Sequence, residues 1–513
     1  MTPDVRPVRT APRMPQETTR MHTFPRLALA TATAAALTGG LLTFSAASAS
    51  AADSVKVAQA DFNGDGIGDI ATSAATAYVS GHKNAGQIVA LYGSKATGLT
   101  AAKHTALSQN SAGVPGTAAA GDEFGYDMAY ADFNGDGYDD LAVSAPYDKV
   151  GTDTDGGTVT LLWGSKSGLT GKGVDLKDPA PSSHDNWGLS LAAGDFDGDG
   201  KADLAVGSSS ATLWVLKGGI ASNGTPGGRY TVKAPIRAGN SSSAYGPLHL
   251  TAGDVNGDGR SDLVVDGFET KTSYQWNTNY WLPGTANGLT ATGVKTLKSG
   301  IVTGIGDING DGFGDIVSGA DWDNTSNGTT VPDSAKGGRV AVTYGSASGP
   351  AKVTMFNQNT SNVPGASETG DGFGWDLDLG DVNGDGYADL VVSTPGEDIG
   401  SHTNTGQVTV LYGSKTGINL ASGAQSFAQS TAGVPGDDEK NDLFGTDVKL
   451  DDVNGDGKAD LVVGSYENGG DGSVTYLPSN GSKITATGSR AIAPNNVGVS
   501  TTGTPQFGSV FGS

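Results

Sequence analysis

The sequence predicts an all-β protein, a seven-bladed β-propeller of four-stranded antiparallel blades. Three observations carry this expectation. An acidic nine-residue motif recurs seven times, short apolar segments recur at fixed places around it, and the composition favours turns, with 81 Gly and 36% hydrophobic residues in 513. Such a chain is too polar for one large conventional core and suits similar layers that share their apolar contacts.

The motif reads D-[FVI]-[ND]-G-D-G-x-x-D and occupies 61–69, 132–140, 195–203, 254–262, 307–315, 381–389 and 452–460, at intervals of 71, 63, 59, 53, 74 and 71 residues. A period this long makes each unit a supersecondary structure and excludes the tandem nine-residue repeat of a calcium β-roll.

The other elements follow in order. Eight residues ahead of four of the motifs stands an aromatic-glycine pair: Phe124-Gly125, Trp187-Gly188, Phe373-Gly374 and Phe444-Gly445. Tyr245-Gly246 is one residue further off. After the motif comes a short apolar run, such as Leu141 to Val143 or Leu390 to Val392, which reads as a buried strand. A third, alternating segment ends in glycine, as in 157–165, 86–94, 338–346 and 406–414, and a weaker fourth follows, as in 104–109. Four strands at this period is the pattern of a propeller blade, and packing each blade on the next protects the sheet edges.

The ends are expected to meet. The first motif has Asp53-Ser54 where the aromatic pair belongs, whereas Phe507-Gly508 at the C-terminus precedes no motif. The C-terminal segment should therefore complete the ring beside the first blade. The fifth unit is also irregular, with Ser299-Gly300 replacing the pair.

The motif chemistry is that of a hard cation. Position 1 is Asp61, Asp132, Asp195, Asp254, Asp307, Asp381 or Asp452. Position 3 is Asn63, Asn134, Asp197, Asn256, Asn309, Asn383 or Asn454. Position 5 is Asp65, Asp136, Asp199, Asp258, Asp311, Asp385 or Asp456. These side-chain oxygens line one side of a turn that glycines at positions 4 and 6 permit. The main-chain carbonyl of Ile67, Tyr138, Lys201, Arg260, Phe313, Tyr387 or Lys458 adds a ligand at position 7. Asp69, Asp140, Asp203, Asp262, Asp315, Asp389 or Asp460 closes the shell at position 9. An all-oxygen set of this size favours Ca²⁺ over Mg²⁺ and Zn²⁺. The acid at position 9 rather than 12 separates these loops from an EF-hand. Up to seven structural Ca²⁺ ions are expected. Unpaired carboxylates held in tight turns are costly without a cation.

With these residues on the page, the chain resembles the FG-GAP repeat, of a secreted bacterial type. Phe124-Gly125, Asp132 to Asp140 and Ser144-Ala145-Pro146 form the nearest copy, and Gly-Val-Pro-Gly at 113–116 and 433–436 and Asn-Val-Pro-Gly at 362–365 accompany it. The resemblance spans 53–513 and is similar to the N-terminal propeller of integrin α subunits and to the propeller of glycosylphosphatidylinositol-specific phospholipase D. It implies seven blades with Ca²⁺ in the hairpin loops of one face. No integrin leg and no phospholipase domain is expected.

Residues 1–51 read as a secretory signal peptide. Arg6, Arg9, Arg13, Arg20 and Arg26 precede an uncharged stretch from Leu27 to Phe44 and small residues suited to cleavage after Ala49 or Ala51. The propeller is expected over 52–513, soluble, secreted and monomeric. The net charge is −23, or −26 without residues 1–51, which disfavours nucleic acid and anionic membranes. There is no cysteine, so thiol chemistry and disulfides are excluded. His82, His104, His184, His249 and His402 keep no common repeat position, and no catalytic motif is legible.

The expected function is that of an extracellular binding or adhesion module for a glycan or protein partner. The loops 76–86, 147–157, 321–338 and 396–406, with Tyr147 and Trp322, form the candidate surface opposite the metal loops. The alternatives are a secreted hydrolase of phosphodiester, ester or glycoside bonds and a structural surface protein.

Overall fold

A computed structural model describes residues 59–513, apart from 240–244, 273–275 and 327–328, together with the short antiparallel pair Ala28–Leu29 and Lys56–Val57. Apart from Ala28–Leu29, the predicted signal peptide lies outside the described residues.

Seven antiparallel sheets follow one another around a ring. Blade two is representative, with Met128–Ala131 innermost, then Asp140–Ala145, Thr158–Leu162 and Gly173–Asp175 outermost. Each strand pairs with the next in sequence. The inner strands of the other blades are Leu191–Gly194, His249–Gly253, Val302–Gly306, Leu377–Gly380 and Asp447–Asp451. Blade five inserts a small hairpin, Thr325–Ser326 with Thr329–Thr330, before its third strand Arg339–Thr343. Helix is confined among the described residues to single turns at Glu467–Gly470 and Pro494–Val497.

Blade one contributes three strands of its own, Ile70–Ala74, Gln87–Leu91 and His104–Leu107. The C-terminus supplies the fourth. Thr72 bridges Phe511 in antiparallel sense, Ser73 N donates to the Val510 carbonyl at 2.8 Å, and Gly512 N donates to the Ala71 carbonyl at 2.8 Å. Phe507-Gly508 thereby stands where the other blades carry their aromatic-glycine pair, as the sequence predicts.

The pair is a joint. The aromatic ring is fully enclosed at Phe124, Trp187, Phe373, Phe444 and Phe507. Phe124 N donates to the Ala85 carbonyl of the preceding blade, and Gly125 N donates to the Ser144 carbonyl of its own. Gly125 has φ of 92°, and a β-carbon there would lie 2.7 Å from the Ile88 side chain, so only glycine fits so close an approach.

Around the channel the inner strands are pinned sideways. Asp127 Oδ2 accepts Leu191 N at 2.6 Å, Asp376 Oδ2 accepts Val448 N at 2.7 Å and Asp447 Oδ2 accepts Phe511 N at 3.1 Å. Hydroxyls take this role in blades three and four, where Ser190 Oγ donates to the Pro247 carbonyl and Thr251 Oγ1 to that of Thr303. Lys449, 2% exposed, reaches from blade seven to the Gly512 carbonyl at 2.8 Å and to Tyr130 Oη at 3.2 Å, closing the ring from inside.

Candidate metal centre

In blades two to seven the acidic loop joins the first strand to the second. In blade one it precedes Ile70–Ala74 and is bonded to loops seven and two, through Gly68 N to the Asp452 carbonyl and Asp139 N to the Asp61 carbonyl, so all seven loops lie at one end of the ring. The local folding is read directly from the hydrogen bonds. In loop two, Asp132 Oδ1 accepts Gly135 N and Asp136 N, and Oδ2 accepts Gly137 N at 2.9 Å. Asp136 Oδ1 accepts Tyr138 N at 3.1 Å. The same pattern holds at Asp195, Asp254, Asp307 and Asp381. A carboxylate at position 1 therefore organises the turn through main-chain N–H groups, as an Asx turn does.

The aspartate at position 9 is buried in every loop. In loop two, Asp140 Oδ2 accepts Phe133 N of its own loop, and Oδ1 accepts Gly164 N beyond the third strand. Asp262, Asp315 and Asp389 repeat both bonds. Position 9 is thus a clasp between two turns of one blade as well as a candidate ligand. Burial, the largest influence, pushes its carboxyl up to about 8 at Asp69, Asp140 and Asp389 and to about 7 at Asp203, Asp262, Asp315 and Asp460. Neighbouring loop carboxylates push the same way, and the N–H donors oppose it. A bound cation would favour the charged form instead.

Loop three brings its ligands closest. One oxygen each of Asp195, Asp197 and Asp203 lies within 4.8 Å of the others, all three residues buried. Asp203 Oδ2 is enclosed and accepts no hydrogen bond. Lys217 Nζ pairs with Asp197 Oδ2 and partly offsets the charge. In loops one and seven the position-3 amide turns back onto position 9, with Asn454 Nδ2 at 2.9 Å from Asp460 Oδ2 and Asn63 Nδ2 at 3.2 Å from Asp69 Oδ2. The all-oxygen donor set and the orphaned Asp203 oxygen fit a hard divalent cation.

The loops are also knitted to one another, which the motif alone does not reveal. The N–H at position 8 of one loop donates to the position-1 carbonyl of the loop before it: Asp139 to Asp61, Ser261 to Asp195, Gly314 to Asp254, Ala388 to Asp307, Ala459 to Asp381 and Gly68 to Asp452, all between 2.8 and 3.1 Å. The side chain at position 7 lies over the position-4 glycine of that same preceding loop. A β-carbon at Gly64 would meet the Tyr138 ring at 2.8 Å, one at Gly257 the Phe313 ring at 2.9 Å, and one at Gly310 the Tyr387 ring at 2.7 Å. A cleft of about 440 Å³ opens between the loops of blades one, five, six and seven.

The loops 76–86, 147–157, 321–338 and 396–406 join second to third strands and lie at the other end of the ring. Tyr147 is half-buried there, edge-on to Tyr126 with ring centroids 5.5 Å apart, so it packs within the blade rather than standing free. Trp322 is half-buried, with its indole N–H enclosed and undonated. The pinning aspartates Asp127, Asp376 and Asp447 escape a search centred on the acidic loops. Their signal was present all the same, since each follows its aromatic residue by three positions.

The ring of four-stranded sheets defines a seven-bladed β-propeller. An FG-GAP repeat model matches residues 55–91, 187–228, 373–411 and 444–477, and an FG-GAP-like repeat model matches 132–206. These segments carry FG-GAP repeats. Among curated proteins it is similar to the phosphatidylinositol-glycan-specific phospholipase D of Rattus norvegicus, at 34% identity over 30% of this chain and 18% of that one. It is similar to integrin alpha-PS2 of Drosophila melanogaster, at 27% over 53% and 15%, and to integrin alpha-IIb of Mus musculus, at 34% over 46% and 22%. The chain thus spans less than a quarter of the length of these relatives. Among solved structures, the Dos1 propeller aligns with a TM-score of 0.40 at 10% identity, over 85% of this chain and 83% of that one. Among the described residues no helix is long and apolar enough to cross a membrane.

Proposed function

We propose that the protein is a secreted, calcium-loaded binding module whose partner, a glycan or an extracellular protein, docks on the face opposite the acidic loops. The observation that carries this reading is the division of labour between the two ends of the ring. The acidic loops are bonded to one another and clasped into their blades, which suits a structural cation. The four long loops at the other end share main-chain bonds with the following blade, as from Phe124 N to the Ala85 carbonyl and Phe444 N to the Thr405 carbonyl. Their sequences nevertheless differ from blade to blade, and 321–338 is longer than the other three, as partner-binding loops on a rigid scaffold do. Ca²⁺ would be held by oxygens of positions 1, 3, 5, 7 and 9, with Asp195, Asp197 and Asp203 best gathered for it. When bound, the ion supplies the positive charge that the buried carboxylates lack.

The test has two parts. Elemental analysis of the purified protein is expected to find close to seven Ca²⁺ per chain; no bound metal would overturn the cation reading. A glycan array and a screen of extracellular proteins are expected to yield a partner whose affinity falls in Trp322→Ala; unchanged affinity would remove that loop from the site. The second reading, a hydrolase, rests on the name of the phospholipase D relatives. Turnover of phosphodiester, ester or glycoside substrates by the purified chain would favour it over the binding module.

A further inference from the structure

On the face opposite the acidic loops, three blade junctions repeat one arrangement. Just past the outer strand of blades one, five and six stand Gln109, Gln358 and Gln429. Thirteen residues later in each case stands a buried aspartate, Asp122, Asp371 or Asp442, two positions ahead of the enclosed phenylalanine. The following blade brings in a second acid from the start of its long loop, Asp148, Glu397 or Glu467.

The side chains meet. Gln109 Nε2 donates to Asp148 Oδ2 at 3.0 Å, Gln358 Nε2 to Glu397 Oε2 at 2.6 Å and Gln429 Nε2 to Glu467 Oε1 at 2.8 Å. That bond seats the amide head of each glutamine against the carboxylate. The three glutamines are 3%, 2% and 4% exposed, and the amide oxygen of every one is enclosed and accepts no hydrogen bond. The pockets close from above through Gly116, Gly365 and Gly436, where a β-carbon would strike the glutamine amide at 3.1, 2.5 and 2.5 Å. Asp122 and Asp442 are held by one main-chain donor each, Ala119 N and Glu439 N.

An enclosed carbonyl oxygen with no donor is costly once, and a repeated omission at three equivalent places calls for a common partner. The partner must satisfy a lone pair and tolerate two adjacent carboxylates, which is the chemistry of a hard cation. Burial pushes Asp122, Asp148, Asp371, Glu397 and Asp442 upward, Glu397 to about 7, and in the pairs Asp122–Asp148, Asp371–Glu397 and Asp442–Glu467 the neighbouring acid adds to the rise. His82 and Lys336 act on Asp122 and Asp371 through charge and lower them only in part.

We propose that each of these three pockets binds a hard divalent cation, Ca²⁺ foremost, between the glutamine carbonyl oxygen and the two carboxylates. This second set of sites ties each blade to the next on the face that the acidic loops do not reach. The junction between blades two and three lacks the glutamine. Asp185 there meets Asp153 and Asp155 within 4.8 Å, but no enclosed donorless oxygen accompanies them, and the inference stops short of that cluster.

The experiment is a crystal of the whole protein grown in millimolar Ca²⁺, with anomalous data collected at long wavelength. Anomalous peaks beside Gln109, Gln358 and Gln429 are the expected result. Peaks confined to the acidic loops, or density at the three junctions with no anomalous signal, as an ordered water would give, overturn the proposal. Peaks at the junctions without peaks in the acidic loops would sustain it while overturning the loop reading. In solution, Gln429→Leu is expected to lower the Ca²⁺ count by one per chain in equilibrium dialysis; an unchanged count speaks against that site. Should Gln429→Leu fail to fold, the crystal of the unaltered protein still decides.

Discussion

Six of the seven junctions between acidic loops are closed, and the junction between loops two and three is open. At the closed ones a position-8 N–H reaches the preceding loop, and a position-7 side chain lies over its glycine. At the open one no position-7 side chain covers the glycine. The space beside Gly135 is empty to 4 Å, and Lys201 points outward to Asp199 with its side chain 58% exposed. Across this seam Gly219 N and Ile220 N donate to the Phe133 carbonyl. Loop three, on the edge of this seam, is also the loop whose carboxylates converge most closely. Identical motifs therefore do not make identical sites. The uncovered loop is loop two, whereas loop three, where the carboxylates converge, is itself covered by Arg260 over Gly198.

The largest expected effect tests the role of the cation in that ring. Chelation should lower the melting temperature by something on the order of 10 °C, because up to seven ions that bind only the folded state would add their linkage terms. No shift would leave the loops as ordinary turns and the closed-versus-open contrast without a cation to act on.

The next effect is local. His249 is fully buried in the inner strand of blade four, and burial lowers its imidazole to about 3. The unfolded chain takes up a proton near pH 6.5 where the folded chain does not, so stability present above pH 6.5 is lost as pH falls toward 3. At pH 5 this amounts to about 2 kcal/mol. Chemical denaturation of His249→Gln between pH 7 and 5 should show a correspondingly smaller loss. Equal losses would assign the acid sensitivity to other groups, the loop carboxylates first.

Two paired substitutions then separate a closed junction from the open one. Tyr138→Ala uncovers Gly64 and should cost about 1–2 kcal/mol, whereas Lys201→Ala should stay within about 0.5 kcal/mol. Equal costs would mean that the covering side chain contributes nothing. The smallest contrast compares two glycines of positive φ, 69° at Gly64 and 79° at Gly135. Alanine is strained at both, but only at Gly64 does it also strike the Tyr138 ring. Thermal melts should rank Gly64→Ala below Gly135→Ala, and the reverse order would contradict the packing.

Repetition made the architecture legible. Seven copies of one motif, flanked by buried runs, can fold only as similar sheets side by side. The displaced Phe507-Gly508 announced the closure of the ring because every unit needs one such pair. Positions 1 and 9 of the loops were likewise readable as acids in tight turns. The second duty of position 9 was not, because the Gly164 or Gly413 N–H that it captures lies 24 residues further along the chain.

By itself, then, the sequence determined the number of blades, the strand order within each, the end of the ring that carries the acidic loops and the partner for the incomplete first blade. Local periodicity and composition suffice for these, since each unit repeats the same short-range choices. Only the tertiary structure decided which loops cover one another, which strand each pinning aspartate holds and which glutamine oxygens are left enclosed. Those outcomes depend on side chains from different blades meeting across junctions of unequal length; the aromatic-Gly-x-Asp spacing marks the pinning aspartates but not the strand that each one holds.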